Sequence, residues 1–325
     1  MHCLITGGAG FIGSHLAETL LAEGARVTVA DNFDPFYPRS LKQANLARCS
    51  LLPGFRLVEA DICNPDALAS VPTPVDCIVH LAAKAGVRPS IADPAGYVRV
   101  NVAGFQNVLD FARAAGVPQF VFASSSSVYG INPRTPWSED DHVLLPISPY
   151  AATKVSGELL GHVYSRLYGI RFLALRLFTV YGPRQRPDLA IRKITEAIFD
   201  GRRAAMYGDG SSSRDYTYVD DVVAGIRAAM EYRSSAYEVI NLGNGNPITL
   251  RDMIRCIEGA LNKKAVLDPQ PEQPGDVPRT CADIHKARSL LGYRPETAFS
   301  EGVARFVSWL GVVRAQPGAP TQHIA

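Results

Sequence analysis

A tyrosine and a lysine four residues apart are the clearest candidates for chemistry in the chain. Tyr150 and Lys154 follow Pro149, a residue suited to the first turn of a helix, and their spacing puts both side chains on one helix face. A tyrosine with an ordinary pKa of about 10 is a poor base at neutral pH, but a nearby lysine ammonium lowers that pKa. The pair predicts a phenolate that takes a proton from a substrate hydroxyl. An ordinary amphipathic helix is the alternative interpretation.

Four consecutive serines, Ser124–Ser127, precede Val128, Tyr129 and Gly130 at the end of a predicted strand. The carboxyl ends of parallel strands are where α/β sheets bind ligands. These hydroxyls therefore predict a substrate site that the Tyr150 helix shares, whereas a polar surface loop is the alternative.

Three glycines follow the first predicted strand and precede the first predicted helix. Gly7, Gly10 and Gly13 allow a tight turn and a close backbone approach to a pyrophosphate, which then lies at the N–H groups of the helix N-terminus. The pattern predicts a dinucleotide site, with a purely structural glycine turn as the alternative.

An acidic residue ends the second predicted strand. Asp31 can accept hydrogen bonds from both hydroxyls of an adenine ribose and would repel a 2′-phosphate, and neither Asp31 nor Asn32 is a cation. Asp61 and Ile62 follow the third strand and are placed to meet the adenine ring. The sequence therefore predicts NAD as the cofactor, in preference to NADP.

Apolar runs alternate with helical patterns through the first half of the chain, as in a parallel sheet that is covered on both faces. The predicted strands are His2–Thr6, Arg26–Ala30, Phe55–Ala60, Asp76–Leu81, Phe120–Ala123 and Phe172–Leu177. The predicted helices include Gly13–Glu23, Tyr97–Ala115 and Tyr150–Leu167. The fold class expected is α/β, a Rossmann-type doubly wound parallel sheet with a smaller mixed C-terminal lobe.

Prolines and glycines become frequent after Gly182 and divide the chain into short pieces. We expect residues 1–178 to form the NAD-binding domain. Residues 179–215 and 244–325 then form the substrate-binding lobe, while residues 216–243 return to the first domain.

Composition excludes several classes of protein. Hydrophobic residues make up 47% of the chain and the formal net charge is +2, so neither disorder nor a strong field for nucleic acid or an anionic membrane is indicated. No apolar run approaches the roughly 20 residues that span a bilayer. The chain enters a strand without a signal-peptide pattern, and its six cysteines include no C-x-x-C pair. We expect a reduced, cytoplasmic protein without a metal site.

Five ordered motifs carry a family resemblance. The chain contains TGGAGFIG, SSSSVYG, SPYAATK, RLFTVYGPRQRPDLA and RDYTYVDDV. Together they resemble the extended short-chain dehydrogenase/reductase family and, within it, the UDP-glucuronate 4-epimerases, from residue 2 to roughly Phe306. The resemblance implies an NAD-dependent UDP-sugar epimerase that forms a homodimer through the helices Tyr97–Ala115 and Tyr150–Leu167.

The resemblance also implies roles at the cofactor and at the reacting carbon. Tyr150 would be the base, Lys154 its activator and a ligand of the nicotinamide ribose, and Ser125 the hydroxyl that shares the proton of the sugar O4. Counting back from Gly130 selects Ser125 and leaves its neighbouring serines as alternatives. The implied cofactor contacts are Gly7, Gly10, Phe11, Ile12, Gly13, Asp31, Asn32, Asp61, Ile62, Leu81, Ala82, Ala83, Lys84, Tyr150 and Lys154.

For the nucleotide, the resemblance implies that Arg214 pairs with the diphosphate, Tyr207 stacks on uracil and Asp276 meets the ribose. Many relatives have an arginine where this chain has Gln273. The C6 carboxylate of a glucuronate would be held by Thr179, Arg186, Ser126 and Ser127, with Arg88 as a further candidate. The alternative is that Arg184, Arg186 and Arg192 are solvent-facing charges, and Arg192 stands where the subfamily would place an aromatic residue.

The two residues before Val128 bear on the reaction. Related dehydratases have Asp-Glu there and UDP-glucuronate decarboxylases a glutamate at the second position, whereas this chain has Ser126 and Ser127. Without a carboxylic acid at these positions, C4 epimerisation through a 4-keto intermediate is the expected reaction. An epimerase of neutral UDP-sugars such as UDP-glucose, and a catalytically silent NAD-binding regulator, are the alternatives.

Overall fold

The structure, a computed structural model, describes residues 1–141, 145–271 and 277–315. In these ranges the strands are β1 (His2–Thr6), β2 (Arg26–Asp31), β3 (Phe55–Glu59), β4 (Cys77–His80), β5 (Gln119–Ser125), β6 (Arg171–Leu177), β7 (Thr179–Tyr181), β8 (Arg203–Tyr207), β9 (Ser213–Tyr218), β10 (Tyr237–Leu242), β11 (Pro247–Thr249) and β12 (Val266–Gln270). The α-helices are α1 (Phe11–Ala22), α2 (Arg39–Leu46), α3 (Val87–Ala92), α4 (Pro94–Val98), α5 (Phe105–Ala114), α6 (Pro149–Tyr168), α7 (Ala190–Asp200), α8 (Val219–Glu231), α9 (Leu250–Leu261), α10 (His285–Leu291) and α11 (Phe299–Ala315).

A seven-stranded sheet in the order β10-β6-β5-β4-β1-β2-β3 forms the centre of the molecule. Every neighbouring pair in it is parallel. All residues of β1 and β4 are buried, as expected for strands with helices on both faces. The strand order reverses between β1 and β4, which is where a doubly wound sheet opens a ligand crevice. The prediction of a Rossmann-type parallel sheet is confirmed.

Two small sheets lie outside the central one. One is mixed, because β9 pairs in parallel with β7 and antiparallel with β11, and the other joins β8 and β12 in parallel. The chain then returns to the central sheet, where β10 pairs with β6. The smaller mixed sheet expected after residue 178 is therefore present.

The predicted boundaries are right for β1 and differ by one or two residues for the other predicted strands. The helix predicted at Tyr97–Ala115 is wrong as a single α-helix, because a π-helical stretch, Arg99–Gly104, separates α4 from α5. This stretch holds Asn101, which is buried and bonds to both backbone groups of Lys84 and to the Thr153 hydroxyl of α6. The local departure from α-geometry thus joins the loop after β4 to α6.

Helix α6 packs unusually close to the sheet. A Cβ atom at Gly157 would lie 2.4 Å from the Phe122 ring, and one at Gly161 would lie 2.1 Å from the Phe172 ring. Only glycine permits this approach to β5 and β6. As a result, the first turns of α6 are held at the carboxyl end of β5.

Candidate active site

The first turn of α6 carries the predicted base. The Ser148 hydroxyl accepts a hydrogen bond from the Ala151 amide at 3.1 Å, and Pro149 occupies the first turn, so the helix start is fixed. Tyr150 forms a hydrogen bond with Ser125, the last residue of β5. The serine selected by motif counting is thus in contact with the predicted base.

Lys154, the predicted activating lysine, lies close to Tyr150. The Lys154 ammonium donates a 2.7 Å hydrogen bond to the Ala123 carbonyl and lies 5.8 Å from the centroid of the Tyr150 ring. Burial lowers the pKa of Lys154 to about 8, while the negative charge of Glu158 opposes that shift. The structure therefore brings Ser125, Tyr150 and Lys154 together.

Burial raises the pKa of Tyr150, which is the reverse of the direction expected from the sequence. The hydrogen bond with Ser125 and then the positive charge of Arg186 lower this pKa and partly offset burial. Lys154 is the activating cation expected from the sequence, and Arg186 is a second positive charge beside the phenol.

The glycine turn lies at the point where the strand order reverses. Gly7 has φ +71°, and a Cβ atom there would lie 2.6 Å from the Ala82 backbone nitrogen that follows β4. A Cβ atom at Gly13 would lie 2.7 Å from the Gly7 carbonyl oxygen. Helix α1 begins after Gly10 without a side-chain cap. A backbone cradle that side chains would fill, opening on a helix N-terminus, fits the pyrophosphate of a dinucleotide.

Asp31 is buried at the end of β2 and is already hydrogen-bonded. Its carboxylate accepts from the Ala9 amide at 3.1 Å and from the Phe33 amide at 2.8 Å, and it lies 3.5 Å from the Lys42 ammonium. The carboxylate thus fixes the glycine turn. Lys42 was not among the predicted residues, because a cation eleven residues from Asp31 in the sequence approaches it only through the fold.

The remaining predicted cofactor contacts line the carboxyl ends of the strands. Asn32 and Asp61 are exposed, whereas Ile62 is buried. The Lys84 ammonium forms a 2.6 Å ion pair with Asp93. The half-buried residues are Ile12, Leu81, Ala82, Ala83 and Lys84, while Phe11 is buried. In the parts of the chain that the structure describes, no three His, Cys, Asp or Glu residues form a cluster that could hold a metal ion.

Arg186, the predicted carboxylate ligand, makes a two-pronged contact with a neighbouring acid. Its guanidinium donates to the two Asp188 carboxylate oxygens at 2.9 and 2.7 Å. Both side chains are about four-fifths buried, with 20% of each exposed. Sequence analysis did not single out Asp188, although its place two residues after Arg186 was the available signal.

The segment around Arg186 is fixed to α1 and α7. Arg184, at φ 65°, pairs with Glu18 of α1 at 2.5 Å, and Arg192 of α7 donates to the Gln185 carbonyl at 2.7 Å. Their side chains are only 15% and 8% exposed. The alternative of solvent-facing arginines is therefore wrong for Arg184 and Arg192, as it is for Arg186.

The residues predicted to hold the sugar carboxylate, apart from the arginines, lie on two elements. Ser126 and Ser127 open a 3-10 turn after β5, and the Ser127 amide donates to the Ser125 hydroxyl at 3.1 Å. Thr179 begins β7, and all three are half-buried.

One predicted nucleotide ligand, Tyr207 of β8, lies against a residue of α3. The Arg88 guanidinium lies 5.4 Å above the centroid of the Tyr207 ring, a cation–π distance. Arg214 of β9 donates to the Ser213 carbonyl at 3.0 Å. Asp276, the predicted ribose ligand, and Gln273 lie outside the described residues.

Comparison with known proteins gives close relatives over nearly the whole chain. A UDP-glucuronate 4-epimerase from Thermodesulfobacterium geofontis is 41% identical, over 94% of this chain and 95% of the relative. The crystal structure of UDP-glucuronic acid 4-epimerase from Bacillus cereus in complex with UDP-glucuronic acid and NAD has a TM-score of 0.89 and 36% identity, covering 96% of this chain and 100% of that one.

A relative named for a neutral sugar is also similar. UDP-glucose 4-epimerase from Thermotoga maritima, crystallised with UDP-glucose, has a TM-score of 0.89 and 31% identity, covering 97% of this chain and 100% of that one. The family model described as GDP-mannose 4,6 dehydratase matches residues 4–306. With that match and these relatives, the chain belongs to this family of the extended short-chain dehydrogenases/reductases.

Proposed function

We propose that the protein is an NAD-dependent UDP-sugar 4-epimerase that interconverts UDP-glucuronate and UDP-galacturonate. The observation that carries the proposal is the contact of Ser125 with Tyr150, with Lys154 below the phenol and Arg186 beside it. The base would thus have two cations near it, and one of them, Arg186, could also bind a sugar carboxylate. The relatives named for this reaction support the assignment.

NAD, when bound, supplies the hydride acceptor for the sugar C4 and then the hydride donor. The glycine turn and the N-terminus of α1 would hold its pyrophosphate, and Asp31 its adenine ribose. The Tyr150 phenolate takes the proton of the O4 hydroxyl, and Ser125 shares that proton through its hydrogen bond. Lys154 and Arg186 favour the phenolate by their positive charges. Tyr150 returns the proton after the 4-keto sugar has presented its other face.

The family model is described as a dehydratase, but the residues at this site do not fit a dehydration reaction. Elimination needs an acid and a base beside the sugar, and the 3-10 turn after Ser125 offers the hydroxyls of Ser126 and Ser127 instead. These two serines support epimerisation over dehydration and decarboxylation.

A 4-keto glucuronate is a β-keto acid, which loses carbon dioxide when its breaking bond aligns with the carbonyl π-system. We propose that Arg186 and Thr179, with Ser126 and Ser127, hold the carboxylate out of that alignment. A guanidinium binds a carboxylate through two parallel hydrogen bonds, as Arg186 already does with Asp188. In the second lobe, Arg214 would pair with the diphosphate. Other nucleotide and sugar contacts would come from Tyr207, Arg88 and Asp276.

A second candidate is an epimerase of neutral UDP-sugars. Asp188 already occupies the fork of Arg186, and a neutral C6 hydroxymethyl group would leave that ion pair undisturbed. The structural similarity to a UDP-glucose 4-epimerase is in keeping with this reading.

We also propose a homodimer. Helix α6 exposes Leu159 (58%), Val163 (45%) and Leu167 (67%) at intervals of four residues, which is an apolar stripe on one helix face. A cytoplasmic location and the division into an NAD-binding domain and a substrate-binding lobe stay part of the proposal. No helix in the described parts of the chain is long and apolar enough to cross a membrane.

The test is incubation of the NAD-loaded protein with UDP-glucuronate and, separately, with UDP-glucose, followed by NMR of the sugar C4 configuration. We expect UDP-galacturonate from the first and little product from the second. Preference for UDP-glucose would support the second candidate, and no inverted product from either would overturn both.

A further inference from the structure

A buried ion pair lies behind the catalytic tyrosine and lysine, between α6 and the sheet. Glu158 of α6 accepts two hydrogen bonds from Arg176 of β6, at 2.9 and 2.8 Å. The side chains of both residues are 6% exposed. In such a place the pair is little screened by solvent ions, so its charges act on nearby groups.

Two links join this pair to the catalytic groups. Glu158 is four residues after Lys154 on α6, so the two side chains share a helix face. The same Glu158 oxygen that binds the Arg176 Nε accepts a 2.5 Å hydrogen bond from the Ser124 hydroxyl. Ser124 precedes Ser125 on β5, so the carboxylate contacts the strand that presents the catalytic hydroxyl.

Arg176 also contacts an aromatic ring, which is itself hydrogen-bonded to an amide side chain. The Arg176 guanidinium lies 4.7 Å above the centroid of the Tyr129 ring. The Tyr129 hydroxyl donates a 2.7 Å hydrogen bond to Asn241 of β10. These contacts hold Arg176 against Glu158.

The charged and titratable groups that face Lys154 lie on its own helix and on β4 and β6. Tyr150 and Glu158 lie on its own helix, and His80 faces it from β4. Strand β5 contributes the Ala123 carbonyl and the uncharged Phe122 ring. Arg176 of β6 lies beyond Glu158. Glu158 is therefore the negative charge of this set.

We propose that Glu158, fixed in place by Arg176, is a positioning residue whose negative charge keeps Lys154 protonated for the work of Tyr150. The inference rests on the proposed function, since it gives Lys154 the role assigned there. Its direction follows from the charges: burial lowers the pKa of Lys154 to about 8 and Glu158 raises it. Removing the negative charge lets Lys154 lose its proton at lower pH, which withdraws a cation from the phenolate.

The test compares Glu158→Gln with two controls on the NAD-loaded protein. Glu158→Asp keeps the charge, and Ser124→Ala removes a hydrogen bond from the same oxygen without changing charge. The alkaline limb of the kcat profile should move down by about one pH unit in the glutamine variant, and should stay in place in both controls. If Glu158→Gln does not fold, Glu158→Gln with Arg176→Met removes the pair without leaving a lone buried charge, and a smaller shift of the same sign is expected.

A second readout does not need turnover. NMR titration of ¹³C-labelled lysine, with Lys154 assigned through Lys154→Arg, should show the Lys154 midpoint fall by about one unit in Glu158→Gln. An unmoved midpoint, or an equal shift in Ser124→Ala, would overturn the inference. Absence of any epimerase activity in the wild-type protein would overturn the proposed function instead, and the NMR midpoint would still decide the part played by Glu158.

Discussion

Arg186 and Asp188 form a bidentate ion pair beside Tyr150, the proposed base, with hydrogen bonds of 2.9 and 2.7 Å. The positive member also lowers the pKa of Tyr150. A substrate carboxylate that binds Arg186 must share or replace the contacts of Asp188. In the proposed function, one guanidinium therefore affects both the choice of substrate and the strength of the base.

Arg186→Ala should impair UDP-glucuronate turnover and release carbon dioxide. A lost charge-assisted hydrogen bond costs about 1.5–3 kcal/mol, so turnover should fall by roughly one to two powers of ten. With its carboxylate less firmly held, the 4-keto sugar should decarboxylate and leave UDP-4-keto-pentose and reduced NAD. Product NMR and absorbance at the reduced-nicotinamide band measure both. Normal epimerisation without extra carbon dioxide would move the carboxylate site elsewhere, with Arg88 as the next candidate.

Asp188→Asn should separate a glucuronate site from a neutral-sugar site. The variant leaves Arg186 without its bidentate anion, so a substrate carboxylate should bind about tenfold more tightly than to wild type. Calorimetric titration with UDP-glucuronate and UDP-glucose gives the two affinities. UDP-glucose, without a carboxylate, is the internal control and should bind both proteins equally. Equal gains for the two sugars would count against contact between Arg186 and C6.

Tyr150→Phe should remove turnover and leave UDP-sugar binding nearly intact, because only the proton-transferring oxygen is lost. A positioned acid/base group contributes about 10²–10⁴-fold, and Ser125→Ala should be slower than wild type but active. Rates with saturating sugar, together with affinities from titration, separate the two effects. A near-normal rate for the phenylalanine variant would show that Tyr150 is not the base.

Asp31→Asn should weaken discrimination between NAD and NADP. The amide can still accept from the Ala9 amide, but it no longer repels a 2′-phosphate, and Lys42 remains 3.5 Å from this position. We expect NAD affinity to fall by about tenfold, with NADP affinity rising towards it. Fluorescence titration of the stripped protein measures both. Unchanged preference for NAD would contradict the role given to Asp31.

His80 makes stability depend on acidity. Burial, and then the charge of Lys154, lowers the pKa of His80 to about 3. Between that value and an unfolded pKa of about 6.5, only the unfolded chain binds this proton, so stability falls as pH falls, by about 1.4 kcal/mol per unit. In His80→Gln the slope of the unfolding free energy against pH should be smaller by that amount, as denaturant titrations at several pH values would show. Equal slopes in the two proteins would contradict a buried neutral imidazole.

Much of the fold could be predicted because it rests on local patterns. The run His2–Thr6 has an apolar centre, Cys3–Ile5, and matched β1 to the residue. The break at Arg99–Gly104 could not be predicted, since its π-geometry depends on where Asn101 meets Lys84 and Thr153. A hydrogen bond between distant residues leaves no periodicity in the sequence.

Some residues of the candidate site could also be predicted from local spacing, and others could not. Tyr150 and Lys154 were predictable because helical spacing alone places them on one face. Lys42 and Arg176 were not, because each acts through a partner that only the packed chain brings close to it. The predicted direction of the Tyr150 pKa shift was wrong for the same reason, because burial is a property of the folded chain.

The position of β10 has a consequence for how the chain can be divided. This strand comes from the C-terminal half and covers one edge of the central sheet beside β6. A fragment ending at residue 178 would leave β6 as a bare edge, with unpaired backbone groups that invite aggregation. Joining this N-terminal half to the C-terminal half of a relative would therefore also exchange the edge strand that pairs with β6. A chimera has to carry Tyr237–Leu242 along with the strand that it covers.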